Sequence, residues 1–325
     1  MSLRRTMTAT LAGLLVLGAA GCEEPEPPAR PPVVRPEPPP PPPEPEPEPA
    51  PVPVAPPSAE SLALRQYYQR LQADLLAQGL LRGDQGGEDT PFTDTMLARD
   101  FIAIALFDEY AARNGALVAQ AQESRLRRWD EPIRMEIVFG PSVDAEQSAR
   151  DRAGIQAYAS RLSRLTGVPV SQVNGDANFH VAVLSEDDRK GFEARLRDML
   201  PGIADSSVRA FMNLPRSTLC LVIAFGSGEG AGYSQAVALI RAEHPELLRS
   251  ACIHEELAQG MGLANDSPTA RPSIFNDDEE FGLLTKHDEL LLKILYDPRL
   301  RTGMTVEEAT PLVQTIAAEL VGGPV

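Results

Sequence analysis

The stretch from Cys252 to Asp266, CIHEELAQGMGLAND, concentrates the side chains best suited to chemistry. Glu255 and Glu256 are neighbours, so on a helix they point about 100° apart and are not expected to converge on one substrate. Glu256 with Asp266 makes a better acid–base pair, because a turn at Gly262 can fold Asp266 back toward the helix. Carboxylate and amide oxygens also suit a hard cation, and the acidic run 276–280 (NDDEE) lies nearby in sequence. Ca²⁺ binding is therefore one expectation, and a solvated acidic loop is the other. Equally, Glu256, Gln259, Asn265 and Asp266 can form a buried polar network that fixes the junction between helix and loop. His254 on the same helix is a lone imidazole, a type that more often partners a hydrogen bond than a metal. Nothing in the spacing of His180 or His287 brings them to it.

With Glu255, Glu256, Gln259, Gly262 and Asn265 in view, the chain resembles the metzincin branch of the zincin metallopeptidases. There a helix carries His-Glu-x-x-His, a glycine follows, and a third ligand returns from beyond it. The resemblance implies that Glu255 and Gln259 stand at the first two ligand positions, Glu256 at the general base and Asn265 at the third ligand. It places Ser273-Ile274-Phe275 where the family carries its Met-turn. The ligand types depart from the family: one carboxylate and two neutral amides make a poor zinc site. A second frame, His254-Glu255-x-x-Ala258, lacks its second histidine. The resemblance implies a zincin-like α+β domain whose metal site is degenerate.

The elements that would hold these residues can be read from the pattern. Leucines at helical spacing over 60–81 and an apolar run over 93–113 predict two helices, read as a helical hairpin over 58–120 that Gly115 ends. Strands are predicted at 133–139, 178–184, 218–224 and 235–240, and the metzincin resemblance implies that the last is an edge strand. Helices are predicted at 144–165, at 247–263 and at 285–296, the last capped by Thr285 with Asp288. Ser185 with Asp188 caps a further helix. Strands and helices mix without strict alternation, which predicts an α+β domain over 121–325.

Ahead of the body stand two segments of other kinds. Arg4 and Arg5, a short apolar stretch over 11–20 and Gly21-Cys22 resemble the signal peptide (residues 1–21) and lipobox of bacterial lipoproteins, which implies a diacylated Cys22 at the mature N-terminus. Glu23, where an inner-membrane retention signal would carry Asp, makes the outer membrane the expected destination, with the body in the periplasm. Residues 22–57 read as a tether: 19 of the chain's 31 prolines lie there, interleaved with glutamates, and such a segment stays extended. Most of the formal net charge of −16 belongs to the body, which disfavours nucleic acid as a partner. In an oxidising compartment Cys220 and Cys252 are expected to pair.

The whole body also resembles domain-of-unknown-function family 2927, a family of Gram-negative envelope lipoproteins. Glu255, Glu256, Leu257, Gln259, Asn265, Asp266, Phe275, Asn276, Asp277 and Tyr296-Asp297-Pro298 carry that likeness. It implies a fold and an address but no activity. The function expected is a non-catalytic domain that binds an envelope protein or peptide, the alternative a metallohydrolase with Glu256 as base. Zn²⁺ or Ca²⁺ are the cofactors to test.

Overall fold

The protein is described by a computed structural model over residues 56–322, apart from 114–115, 227, 229–231 and 277. Cys22, the signal peptide and all but the last two residues of the tether lie outside the described residues.

Ser58 caps α1 (Ala59–Ala77) by accepting from the Ser61 amide, and Tyr68 and Leu75 bury against Leu81, Leu248 and Ala251. Thr93 caps α2 (Asp94–Ala105) in the same way. Here the chain departs from its sequence reading. The helix stops at Ala105, and β1 (Phe107–Arg113) pairs antiparallel with β2 (Ala116–Glu123), Phe107 facing Glu123. No helical hairpin forms, since α1 packs with Leu248 and Ala251 while Leu97, Phe101 and Ile104 of α2 enter the main core. The run IAIALF over 102–107 suits helix or strand by hydrophobicity alone, so tertiary packing decides where the helix ends. The missed signal is Asn114-Gly115, a pair that favours two-residue hairpins. Gly115 itself, read as a helix stop, lies outside the described residues.

The remaining elements are β3 (Ile133–Phe139), α3 (Ala145–Thr166), β4 (Val170–Gln172), β5 (Phe179–Leu184), α4 (Glu186–Lys190), α5 (Glu193–Met199), α6 (Asp205–Met212), β6 (Cys220–Phe225), β7 (Gln235–Arg241), α7 (Glu246–Gln259), α8 (Lys286–Leu295) and α9 (Val306–Gly322). Five strands form a mixed sheet in the order β4-β3-β5-β7-β6, parallel except for β6. Met135 faces Phe179, Phe179 faces Ala236, and Cys220 faces Ile240. The fold is α+β. Strand 235–241 is interior, paired on both sides, and β6 and β4 are the two edges. The reading of 235–240 as an edge strand is thereby corrected. Its sequence AVALI is an unbroken apolar run, the signature of a strand buried on both faces.

Alternation along the strands divides the core between the two faces of the sheet. Met135, Ile137, Val181, Val183, Ala238 and Ile240 face the larger core, which receives α2, α3, α7, α8 and α9. Val138, Ala182, Leu184, Val237 and Leu239 face the smaller one, filled by Leu196 of α5 and Phe211 of α6. Ser185 and Thr285 each build a full capping box with Asp188 and Asp288. Helix α9 was not read from the sequence, yet Thr305 and Glu308 exchange the same pair of bonds at its start.

The end of α7 is fixed by close approach. Trp129, 1 % exposed, donates from Nε1 to the Gly260 carbonyl at 2.8 Å. A Cβ at Gly260 would meet the Phe179 ring at 2.6 Å. Gly262 has φ +124°, and a Cβ there would meet the Arg127 carbonyl at 2.3 Å. Only glycine combines that conformation with that proximity. The helix therefore ends at Gln259, short of the predicted 263, and the chain turns back.

Candidate functional site

Helix α7 runs beside the edge strand β6, and the two are joined by a disulfide between Cys220 and Cys252. One helical turn past Cys252, Glu255 and Glu256 face a cleft of about 190 Å³ that β6 lines from Cys220 to Val222. Gln259, Asp266, Glu109 of β1 and Glu279 also line it. The turn at Gly262 returns Asp266 as the sequence implied, and Gln259 Nε2 donates to its Oδ1 at 3.3 Å. Glu279 arrives on a segment held by main-chain bonds: Leu81 and Arg82 donate to the carbonyls of Glu279 and Glu280, both at 2.8 Å.

Glu255 and Glu256 converge, contrary to expectation. Each brings a carboxylate oxygen within 4.8 Å of the other and of the Cys220 sulfur. Three rotatable bonds per side chain bend both ends into one cavity, which outweighs the 100° between their Cα–Cβ directions. Glu256 is 4 % exposed, and its Oε2 finds no hydrogen-bond partner among the described residues. Burial raises the pKa of both carboxyls well above the usual range. Asp266, Glu256, Glu279 and Glu109 add to the effect on Glu255, and Glu109 and Asp266 on Glu256. These neighbours are all negative. Among the described residues neither carboxylate forms an ion pair with Lys or Arg.

Other candidates lie elsewhere. Asn265 donates from its amide side chain to the Ala103 carbonyl at 2.9 Å and from its backbone to Ile104, so it ties the loop to α2. His254 stacks on Tyr158 at 3.9 Å, and its Nδ1 accepts from the Leu284 amide at 3.0 Å. Burial, reinforced by Arg161, lowers its pKa to about 4, so the ring is neutral. His180 pairs with Glu136, His244 stacks edge-on against Tyr68, and His287 pairs with Asp100 at 3.2 Å. The four histidines thus occupy four separate places. Ser273 and Phe275 are buried, and Ile274 lines a smaller cavity behind the cleft.

Zinc does not fit this set. No imidazole faces the cleft, the Cys220 sulfur is spent in the disulfide, and the Asn265 amide is engaged with α2. What remains are hard oxygen donors. Sequence reasoning missed Glu109, because its strand was read as helix. An Asp or Glu within a run of otherwise apolar residues was the only signal available.

Replacing Glu256 by Gln should stabilise the protein when chelator is present, by on the order of 1 kcal/mol, because a buried carboxylate among like charges becomes a neutral amide. Thermal unfolding at neutral pH checks this, and a lower melting temperature would contradict it.

The fold and site define an α+β domain in which a helix and an antiparallel edge strand enclose an acidic cleft. Within that class, the chain belongs to the family described as "Protein of unknown function (DUF2927)", whose model matches residues 94–315. No curated protein matches the chain.

Proposed function

We propose that this protein is a non-catalytic binding domain of zincin-like build that receives an extended polypeptide along β6. We also infer that a lipidated Cys22 holds it at a cell-envelope membrane, the outer membrane by the Glu23 signal, and that the 22–57 tether presents its body in the periplasm. One observation carries the binding reading. Among the described residues β6 pairs with β7 alone, and its residues line one cavity after another, of about 190 Å³ near Cys220 and about 210 Å³ along 221–224. An unpaired strand edge offers main-chain donors and acceptors to an incoming strand, and alternate side chains enter the flanking pockets. Asp108, Tyr233 and Ile223 line the second of these cavities.

The experiment places a photo-crosslinking residue at Val222 in the full-length protein, with Leu320, an exposed apolar site on α9, as control. A polypeptide adduct at 222 and none at 320 is expected. Equal labelling at both, or none at 222, would overturn the reading. Cys22→Ser is expected to move the protein from the membrane fraction to the supernatant.

A second reading has one observation in its favour: the buried, unpartnered Glu256 Oε2 has the character of a general base awaiting a reactant, with Asp266 nearby. A peptide-cleavage assay separates the two. Cleavage that Glu256→Gln abolishes would replace the binding reading with a hydrolase.

A further inference from the structure

We propose that the floor of the cleft is a binding site for a hard divalent cation of the Ca²⁺ class, held between Glu255, Glu256, Asp266 and Glu279. The site is independent of the polypeptide reading, although the two share one cleft.

Geometry carries the inference. The carboxylate oxygens of Glu255 and Glu256 approach within 4.8 Å, a spacing one cation can bridge with oxygens at roughly 2.3–2.6 Å. Asp266 and Glu279 line the same cleft. Together with Glu255 and Asn276 they also line the smaller cavity of about 70 Å³ behind it. The acids therefore surround the junction of two cavities instead of spreading over a surface. Glu256 supplies the independent sign of a ligand. It is 4 % exposed, it lines the cleft, and its Oε2 is left without a partner. A buried carboxylate oxygen in that condition is costly unless something positive meets it.

The elements hold the donors in place before any ligand arrives. The disulfide fixes α7 against β6, the Gly262 turn sets Asp266, and main-chain bonds from Leu81 and Arg82 set Glu279. Arg82 and Arg271 pair with Glu280, and Arg127 pairs with Asp108.

Donor chemistry selects the ion. Zinc needs nitrogen or sulfur, and none is offered. Mg²⁺ keeps most of its water and seeks one or two carboxylates in strict octahedral geometry. Ca²⁺ accepts six to eight oxygens in irregular arrangements, which suits several flexible carboxylates and cleft water. A basic side chain from a bound polypeptide is the rival occupant, and it is an outcome of the test.

The test uses the full chain in detergent, stripped with chelator, and titrated with CaCl₂, MgCl₂ and ZnCl₂ by calorimetry, with Tb³⁺ luminescence as a second readout. One Ca²⁺ per chain is expected, tighter than Mg²⁺ and Zn²⁺, with a rise in melting temperature. Glu256→Gln is expected to weaken Ca²⁺ at least about tenfold, while its melting temperature in chelator shows that it folds. Asp266→Asn should weaken binding likewise. Absence of saturable Ca²⁺ binding, binding unchanged by Glu256→Gln, or preference for Zn²⁺ would each overturn the proposal. A Lys-containing peptide that binds stripped protein, and that Ca²⁺ does not displace, would assign the acids to the polypeptide instead. The Val222 crosslink reports separately on β6, so failure of either idea leaves the other readable.

Discussion

Replacement of Asp288 by Ala is expected to remove about 3–5 kcal/mol of stability, more than any change within the cleft itself. Asp288 is fully buried. Its Oδ1 accepts from Ser273 Oγ at 2.6 Å, and its Oδ2 accepts from the amides of Ile274 and Thr285 and from Thr285 Oγ1, at 2.8–3.1 Å. One carboxylate thus caps α8 and fastens the 273–275 segment to it. Alanine would strand two amides and the Ser273 hydroxyl in a dry interior, each costing on the order of 1 kcal/mol or more, while Thr285 Oγ1 keeps the Pro272 carbonyl as acceptor at 2.9 Å. His287 adds to the loss. Burial disfavours its charged form, but the Asp100 and Asp288 carboxylates outweigh burial and raise its pKa, so removing Asp288 leaves the imidazole with the Asp100 carboxylate as its remaining compensation. Asp288→Asn, which keeps one acceptor oxygen, should recover part of the deficit. Urea unfolding at neutral pH reads the effect as a lower midpoint with an unchanged slope. A loss below about 1 kcal/mol would show that water or rearrangement satisfies those donors. Because 273–275 continues the loop that begins at Asp266, weaker Ca²⁺ binding should accompany the lost stability.

How far the sequence discloses this site depends on which interactions are local. Capping boxes are local, and Ser185 with Asp188 and Thr285 with Asp288 were legible as pairs three residues apart. The turn at Gly262 was legible for the same reason, and so was the return of Asp266. What the helix frame could not show was that Asn265 turns away to α2, because the Ala103 and Ile104 carbonyls that engage it lie some 160 residues upstream. Strand order is likewise a property of the assembled sheet. The continuous apolar run AVALI hinted that β7 is central, yet only the pairing with both β5 and β6 decides it. Glu109 was hidden by the ambiguity of IAIALF, where hydrophobic content fits both periods and the docking of α2 sets the boundary. Convergence of Glu255 with Glu256 depends on side-chain torsions that no spacing rule reports. The disulfide, joining the 218–224 strand to the helix after it, is legible from compartment and cysteine count, and the structure adds the acidic cleft that lies beside it.

Breaking that disulfide is expected to cost about 3–4 kcal/mol by the loop-entropy argument, since Cys220 and Cys252 are 32 residues apart. For a body of this size the corresponding fall in melting temperature is roughly 10 °C. The effect should be uneven across the molecule. Cys220 opens β6, an edge strand with one paired neighbour, and Cys252 lies three residues before Glu255 on α7. Strands β3, β5 and β7 keep their neighbours on both sides and their apolar faces in the two cores. Hydrogen exchange in a Cys220→Ser/Cys252→Ser protein should therefore rise first in β6 and in the last turn of α7, with β5 nearly unchanged. Uniform acceleration would mean that the bond acts only on global stability. So would Ca²⁺ affinity that stays constant when the bond is lost. With both cysteines buried, at 7 % and 1 % exposure, reductant is expected to reach the bond only after β6 parts from the helix, so reduction should be slow in the native protein and faster in mild denaturant. Bound Ca²⁺ should slow it further, because a cation gripping Glu255 and Glu256 on α7 together with the loop acids opposes the same separation.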